Sequence, residues 1–280
     1  MSKPPVDREL AFAPTDTSKT KDFDLMRRIR ERKPVCRPAE GVVLTTRYAD
    51  TRAAFLDAKR LSSVGDMREP GVVVPTEESF LGEIDAPLHP KIRRILLKGF
   101  TRSRARAAEP WTRANVAGRL ERLRADGGGD LMERLAIPLP GSVSAHELGI
   151  PDDRHDQVMA WCNELLHSTW PRTGRTDRGE GIANAFPEMT AALDGWIRER
   201  EESDAFDDLL AVMVRARDDD GWSIGAHHVR TLMVNILAGS LSASFMIGNL
   251  LYRFTRDEEF ERALRSDAAK IPLAVDESLR

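Results

Sequence analysis

The chain has 280 residues, of which 41% are hydrophobic and 31% are charged. This length and composition are typical of a globular protein with a sizeable core, and they exclude a disordered chain and a small disulfide-stapled domain. The formal net charge is -3 and the arginines are interspersed with acids, so a basic nucleic-acid-binding stripe is also excluded.

The N-terminal region predicts a loose arm followed by a helix and a small hairpin. Residues 1–22 contain Pro, Thr and Lys and are expected to form the arm, and residues 23–280 are expected to form one domain. The segment Phe23–Arg32 predicts a short helix. Two strand-like stretches, 35–37 and 42–46, flank a turn containing Pro and Gly, which is typical of an antiparallel hairpin.

The cysteines and the N-terminal polarity bear on cellular location. The two cysteines, Cys36 and Cys162, are too few for a disulfide framework and have no partner at metal-ligand spacing. Residues 1–33 are polar and charged throughout, so the sequence predicts no signal peptide. A cytoplasmic location follows.

Beyond the hairpin, helical periodicity dominates the chain. The residues that are predicted to be helical lie at 48–58, 85–100, 116–123, 158–166, 189–197, 207–217, 258–265 and 271–280. One stretch, 61–80, is rich in Gly, Pro and Ser and lacks a clear period, so it is expected to be a long loop of the kind that often carries function. The predicted fold is mainly α with a small N-terminal sheet.

One long segment, from Thr231 to Tyr252, contains no charged residue. Its length would allow it to cross a bilayer. It nevertheless carries Asn235, Asn249 and several serines, which are expensive in lipid unless they face a polar cavity. We therefore predict a long helix buried at the centre of the domain, with a membrane span as the alternative.

Two basic residues, His89 and Arg93, are spaced i, i+4 near the start of the helix predicted at 85–100. This spacing places both side chains on one helix face, where they and the helix dipole could hold an anion. The alternative is an ordinary basic surface, because Lys91, Arg94 and Lys98 lie on the same helix.

Two further features lie on later helices. Gly239 is inside the long uncharged segment, where Gly costs about 1 kcal/mol relative to Ala and often marks the close approach of a flat group or a helix-packing contact. Glu277 and Arg280 are spaced i, i+3, which predicts a charge-assisted pair on one helix face.

Three stretches together resemble the bacterial cytochrome P-450 family of heme-thiolate monooxygenases. They are Asp85-Ala-Pro-Leu-His-Pro-Lys-Ile-Arg93, followed by Phe100-Thr101, then Leu237-Ala-Gly-Ser-Leu-Ser242, and finally Glu277-x-x-Arg280. The resemblance extends from about Phe23 to the last residue and implies the P-450 fold, represented by its N-terminal two thirds.

The resemblance also implies roles for individual residues. His89 and Arg93 would bind a propionate of heme b. Ala238, Gly239 and Ser242 would border the oxygen-binding face of the heme and take part in catalysis. Glu277 and Arg280 would form a structural pair that supports the heme-binding core.

The sequence departs from the family pattern in two places. Leu241 stands where the family has an acid that helps to deliver protons, and Ser242 stands where it has Thr, so only a hydroxyl is kept. The family's axial Cys would follow Arg280 and is absent from this chain. Cys162 lies in an apolar helical stripe and is expected to be a core residue, and Cys36 lies at the hairpin. The chain is thus expected to be a truncated member, with no metal ligand of its own and no activity alone.

The resemblance implies a function for the complete protein. It would insert one oxygen atom into a small apolar organic substrate, with electrons from a ferredoxin-type donor and without a nucleic-acid or membrane partner. The segments 61–81 and 237–242 would line the substrate pocket. One alternative is a heme-free relative that stabilises a partner enzyme, which agrees with Leu241 and the absent Cys. Another is a helical binding protein outside the family.

Overall fold

The computed structural model describes residues 6–7, 10–13 and 16–279. The chain divides into two compact units, 1–62 and 63–280, and each is described by itself. Part of the predicted arm, at 1–5, 8–9 and 14–15, lies outside the described residues, and so does Arg280. The domain boundary predicted at residue 23 stays a prediction.

The first unit is a short helical segment followed by a helix, a hairpin and another helix. Its elements are α1 (Thr17–Thr20), α2 (Phe23–Arg32), β1 (Val35–Cys36), β2 (Leu44–Thr45) and α3 (Tyr48–Leu56). Helix α2 has the predicted bounds, and the carboxylate of Asp22 caps it by accepting a 2.9 Å hydrogen bond from the backbone N–H of Leu25. The predicted hairpin is present, with Val35 opposite Thr45, but its strands are shorter than expected.

The second unit is almost entirely helical. Its helices are α4 (Leu88–Gly99), α5 (Arg102–Ala125), α6 (Pro138–Glu147), α7 (His155–His167), α8 (Trp170–Thr173), α9 (Ile182–Ala185), α10 (Pro187–Glu202), α11 (Leu209–Arg215), α12 (Ala226–Arg256), α13 (Glu258–Ser266) and α14 (Ile271–Ser278). A π-helical turn, Met132–Ala136, precedes α6. A second antiparallel hairpin, which the sequence did not predict, pairs β3 (Arg175–Thr176) with β4 (Gly179–Glu180).

Helix α12 is the predicted long helix, and it runs through the core of the second unit. It packs against α6, α7, α10 and α11. Residues 228–234 of this helix are all buried, and Val229, Leu232, Met233 and Val234 belong to the hydrophobic core. Although its length and composition would suit a membrane span, the first half of the helix is a core element. Its second half has an open face, where Phe245 is 65% exposed.

The loop predicted at 61–80 is irregular apart from a 3-10 turn, Thr76–Glu78. Within the second unit, a buried ion pair anchors it. Arg68 donates from Nε and Nη2 to the carboxylate of Glu83 at 2.7 and 2.8 Å, and from Nη1 to the carbonyl of Trp170 at 3.1 Å. The guanidinium also lies 4.8 Å from the centre of the Trp170 ring. The loop is therefore attached to the segment that precedes β3.

Candidate functional site

The turn of α12 between Leu237 and Ser242 separates a buried face from an open one. Leu237 and Ser240 are buried, whereas Gly239 and Ser242 are exposed. Apart from its chain neighbours and the backbone of its own helix, no heavy atom of the described structure lies within 4 Å of the position that a Cβ on Gly239 would take. Gly239 is therefore not a helix-packing residue among the described elements. Gly248, in contrast, is a helix-packing residue, since a Cβ there would collide with the sulfur of Met132.

The hydroxyl of Ser242 is bonded within its own helix. It donates a 3.0 Å hydrogen bond to the carbonyl of Gly239. The hydroxyl oxygen keeps its lone pairs on the open face, so Ser242 can still accept a hydrogen bond from a group that approaches there. Ala238 is half-buried beside this open face.

Leu241 points to a different place, a cavity of about 290 Å³ between α6, α7 and α12. The lining is mostly apolar and comprises Ile137, Pro138, Met159, Cys162, Leu166, Leu237, Ala238 and Leu241, with Ser142, Asp156 and Asn163 as its polar members. We call it the Leu241 cavity. The residues at 159, 162 and 166 share one helix face, so the apolar stripe was visible in the sequence, but the empty space beside it was not.

Neither cysteine is a suitable iron ligand in this structure. Cys162 is 1% exposed, and burial raises the pKa of its thiol to about 12. Cys36, in the first unit, is 2% exposed, and burial likewise raises its pKa. Both sulfurs belong to hydrophobic clusters of their own unit, so neither is presented at an open face where an iron could approach. The expectation that Cys162 is a core residue agrees with its burial.

Helix α4 carries His89 and Arg93 on one face, as their spacing predicts. His89 is half-buried and Arg93 is exposed, and the side chain of neither forms a hydrogen bond or an ion pair with any residue that the structure describes. Two neighbouring lysines are engaged. Lys91 pairs with Asp218 at 3.6 Å, and Lys98 donates to the carbonyl of Arg217 at 2.8 Å. The basic residues of α4 are thus divided into a partnered and an unpartnered group.

The start of α4 differs from the prediction. The helix begins at Leu88, with Pro87 as its N-cap residue and no side-chain cap, rather than at Asp85. The carbonyl of Asp85 accepts a 3.0 Å hydrogen bond from the N–H of His89, and its carboxylate accepts one of 3.1 Å from the N–H of Ser63. Asp85 therefore links the loop to the helix.

Only one residue of the predicted pair of Glu277 and Arg280 is among the residues that the structure describes. Glu277 lies near the end of α14, and Arg280 lies outside the described residues. Their pairing stays a prediction.

The first turn of α12 contains a histidine for which the sequence favoured a solvated side chain but which the structure buries. His228 is 5% exposed, and its Nε2 is buried without a hydrogen-bond partner among the described residues. Burial lowers the pKa of His228, although the nearby Glu77 opposes this shift. Three residues further along, the hydroxyl of Thr231 donates to the carbonyl of Glu77 at 2.6 Å. The start of α12 and the Thr76–Glu78 turn thus form one packed junction.

Comparison with known proteins finds one group of proteins that resemble this chain. No family model matches the chain. Cytochrome P-450 130 of Mycobacterium tuberculosis is 29% identical over 270 residues, which are 92% of this chain and 65% of that protein. Mycinamicin IV hydroxylase/epoxidase of Micromonospora griseorubida is 29% identical over 259 residues, 90% of this chain and 63% of the enzyme. The chain therefore spans about two thirds, or slightly less, of the length of these relatives.

Solved structures agree with the sequence matches. The open cytochrome P-450 Eryk from S. erythraea superposes with a TM-score of 0.76 and 26% identity, covering 94% of this chain and 66% of that one. A mixed-function P-450 bound to mycinamicin IV superposes with a TM-score of 0.74 and 27% identity. The mainly helical fold predicted from the sequence is the fold of these proteins. Because sequence similarity over nine tenths of the chain and superposition of the fold lead to the same group of proteins, the chain is similar to bacterial cytochromes P-450 in both sequence and fold.

Proposed function

We propose that this chain forms the substrate-facing side of the heme pocket in a heme-dependent monooxygenase. The observation that carries the proposal is the open turn of α12, where Gly239 and Ser242 are exposed and the space above Gly239 is empty. A Gly in the middle of a helix is unfavourable by about 1 kcal/mol. Its presence where no described element packs supports the approach of a flat ligand.

The residues of α4 fit the anionic edge of a heme. His89 and Arg93 share a face and their side chains lack partners among the described residues, while Lys91 and Lys98 are bonded to the 217–218 segment. Two cationic or hydrogen-bonding groups without partners, one turn apart, can bind one carboxylate between them. We assign them to a heme propionate.

The iron ligand does not fit within this chain. Cys36 and Cys162 are its two cysteines, and both are buried thiols with raised pKa values. Heme would supply the oxygen chemistry when bound, and its thiolate ligand would have to come from residues other than these two. The chain's own contribution is to shape the pocket and bind the propionate.

The hydroxyl of Ser242 would hold a hydrogen bond at the open face, whereas Leu241 has no proton to transfer. Leu241 instead contributes to an apolar cavity that disfavours water, since its lining is mostly aliphatic. In this proposal the polar contact at α12 therefore comes from Ser242.

The reaction class follows from relatives that are named hydroxylases, one of them also an epoxidase. Hydroxylation and epoxidation both insert one oxygen atom into an organic molecule. We assign this reaction to the complete protein, with a ferredoxin-type electron donor and a small apolar organic substrate. The apolar Leu241 cavity, to whose wall α12 contributes, supports an apolar substrate.

A heme titration tests the proposal. Hemin added to the 280-residue chain should give a saturable change in the Soret absorption, and His89→Ala with Arg93→Ala should weaken binding by about tenfold or more. The matched control is Lys98→Ala, which removes a basic residue of the same helix that is bonded to the Arg217 carbonyl. Equal affinities of the three proteins would contradict the assignment of His89 and Arg93.

The second candidate function is that of a heme-free accessory protein that stabilises a partner enzyme. The observation that favours it is the combination of Leu241, in place of an acid, with two cysteines that are both buried. Absence of hemin binding, together with co-purification of a second protein from the source cells, would support this role.

A further inference from the structure

The second unit contains another cavity, of about 320 Å³, between the loop at 69–78 and the hairpin of β3 and β4. Its volume is at the lower end of the range for ligand pockets, about 300–1000 Å³. The loop contributes Val72, Val73, Val74 and Pro75 to its wall. The charged lining residues are Glu69, Glu78, Arg175 and Glu180. We call it the Glu78 cavity.

The charges of this cavity are not balanced. The carboxylate of Glu69 pairs with Arg172 at 3.0 Å, and that of Glu180 pairs with Arg175 at 3.8 Å. Glu78 forms no ion pair with any residue that the structure describes, and its Oε2 is buried without a hydrogen-bond partner there. A carboxylate in such a position is unfavourable unless a positive group compensates it.

Two glycines keep the space beside this carboxylate open. Gly174 and Gly181 have φ angles of +70° and +78°, a conformation that other residues rarely adopt. A Cβ on Gly181 would lie 2.7 Å from Oε1 of Glu78, and one on Gly174 would lie 2.5 Å from a methyl group of Val74. A side chain at Gly181 would fill the region next to Glu78, and one at Gly174 would collide with Val74.

The two walls of the cavity are fastened to each other, so its shape does not depend on a ligand. The N–H of Glu69 donates to the carbonyl of Arg172 at 2.9 Å. One residue earlier, the buried Arg68 donates to the carbonyl of Trp170 at 3.1 Å. A preformed cavity loses little conformational entropy when it binds a ligand.

We propose that the Glu78 cavity binds a small organic ammonium ion, that is, a protonated amine on an apolar skeleton. Glu78 supplies the counter-ion, and the valines and Pro75 pack against the skeleton. Among the described residues, no group of three His, Cys, Asp or Glu side chains is placed to hold a metal ion, and one carboxylate without a counter-ion supplies too few ligands for a metal but can pair with an organic cation. The inference rests on the proposed function only in treating the occupant as a substrate.

The test uses cyclohexylammonium and its uncharged analogue cyclohexanol as probes of the 280-residue chain, without heme. Backbone amide NMR shifts of Val72–Val74, Gly174 and Gly181 report binding at the cavity. Cyclohexylammonium should bind at least about tenfold more tightly than cyclohexanol, and the difference should shrink as salt is raised.

Glu78→Gln should abolish the preference for the ammonium probe. The matched control, Glu180→Gln, removes a carboxylate of the same cavity that already has an arginine partner, and it should keep the preference. Glu78→Lys should instead favour cyclohexanecarboxylate.

Equal binding of the ammonium and the alcohol by the unaltered chain would overturn the proposal, and so would a preference that survives in Glu78→Gln. If the Glu78 variants do not fold, the comparison of the two probes on the unaltered chain still decides. Because no heme is present, a failure here is distinct from a failure of the hemin titration.

Discussion

Arg68 and Glu83 form an ion pair in which each side chain is 1% exposed. The carboxylate of Glu83 also accepts a 3.0 Å hydrogen bond from the N–H of Phe80, and Arg68 reaches the carbonyl of Trp170. One buried pair thus connects the end of the irregular loop at 63–80 to the segment before β3. Since both walls of the Glu78 cavity depend on this connection, its loss has consequences for stability and for binding.

Removal of one partner of this pair should be strongly destabilising. We expect Arg68→Met or Glu83→Leu alone to lower the free energy of unfolding by about 3–5 kcal/mol, because a buried charge is left without compensation. The double variant Arg68→Met with Glu83→Leu should lose clearly less than the sum of its parts. Urea unfolding followed by tryptophan fluorescence measures all three, and additive losses would show that the pair is not coupled.

Gly195, on α10, is a matched control for Gly239 at the open turn of α12. Both lie inside helices, and apart from chain neighbours and the backbone of the same helix no described atom lies within 4 Å of the position that a Cβ on either residue would take. Each change to Ala should raise the free energy of unfolding by about 0.5–1 kcal/mol, because Ala has the higher helix propensity. In the hemin titration, Gly239→Phe should weaken binding, whereas Gly195→Phe should not. Similar hemin affinities of the two Phe variants would argue against the assigned heme face.

Substitutions of Leu241 test whether water occupies the Leu241 cavity. Leu241→Asp should lower the free energy of unfolding by about 1–3 kcal/mol, because it places a carboxylate against Cys162 and Met159 in a mostly aliphatic space. The control, Leu241→Met, conserves volume and should cost less than about 1.5 kcal/mol. Thermal unfolding of both variants measures the difference. A fully stable Asp variant would mean that water already occupies the cavity.

His228 predicts a pH dependence of stability. Its pKa in the folded state is lowered from 6.5 by burial, so the unfolded chain takes up a proton at a higher pH than the folded one. At pH values above about 6.5 both states are neutral at this site and it has no effect on stability. As the pH falls from about 6.5 through the lowered folded-state value, the site destabilises the fold progressively.

The measurement compares urea unfolding at pH 7.5 and pH 5 for the unaltered chain and for His228→Asn. The variant should lose less stability between the two values, even if it is less stable at both. The exposed neighbour, changed in His227→Asn, is the control and should keep the pH dependence of the unaltered chain. An unchanged dependence in His228→Asn would contradict the prediction.

Much of the architecture could be read from local patterns. The apolar stripe at 158–166 and the uncharged segment at 231–252 led to α7 and α12, since helix formation at these places needs only a periodic apolar face and the absence of breakers. The hairpin of β3 and β4 was missed because each strand has two residues, too few to show an alternating pattern.

The features of the candidate site likewise divide into those that the sequence predicted and those that only the structure shows. The i, i+4 spacing of His89 and Arg93 and the position of Gly239 follow from residue order alone, because helix geometry determines which side chains share a face. Whether such residues have partners depends on elements distant in sequence. Lys98 donates a hydrogen bond to the carbonyl of Arg217, a residue more than a hundred positions away. Gly239 has an open space beside it, whereas Gly248, on the same helix, packs against Met132.

The sequence by itself determined the helical class, the family resemblance and the residues that could touch a heme, because these depend on identity and local spacing. Only the tertiary structure decided that Leu241 borders an apolar cavity, that Arg68 and Glu83 are buried together, and that Glu78 has no counter-ion among the described residues. The physical reason is that burial and charge compensation are properties of a position in three dimensions. They arise from chain segments that the order of residues does not show to be neighbours.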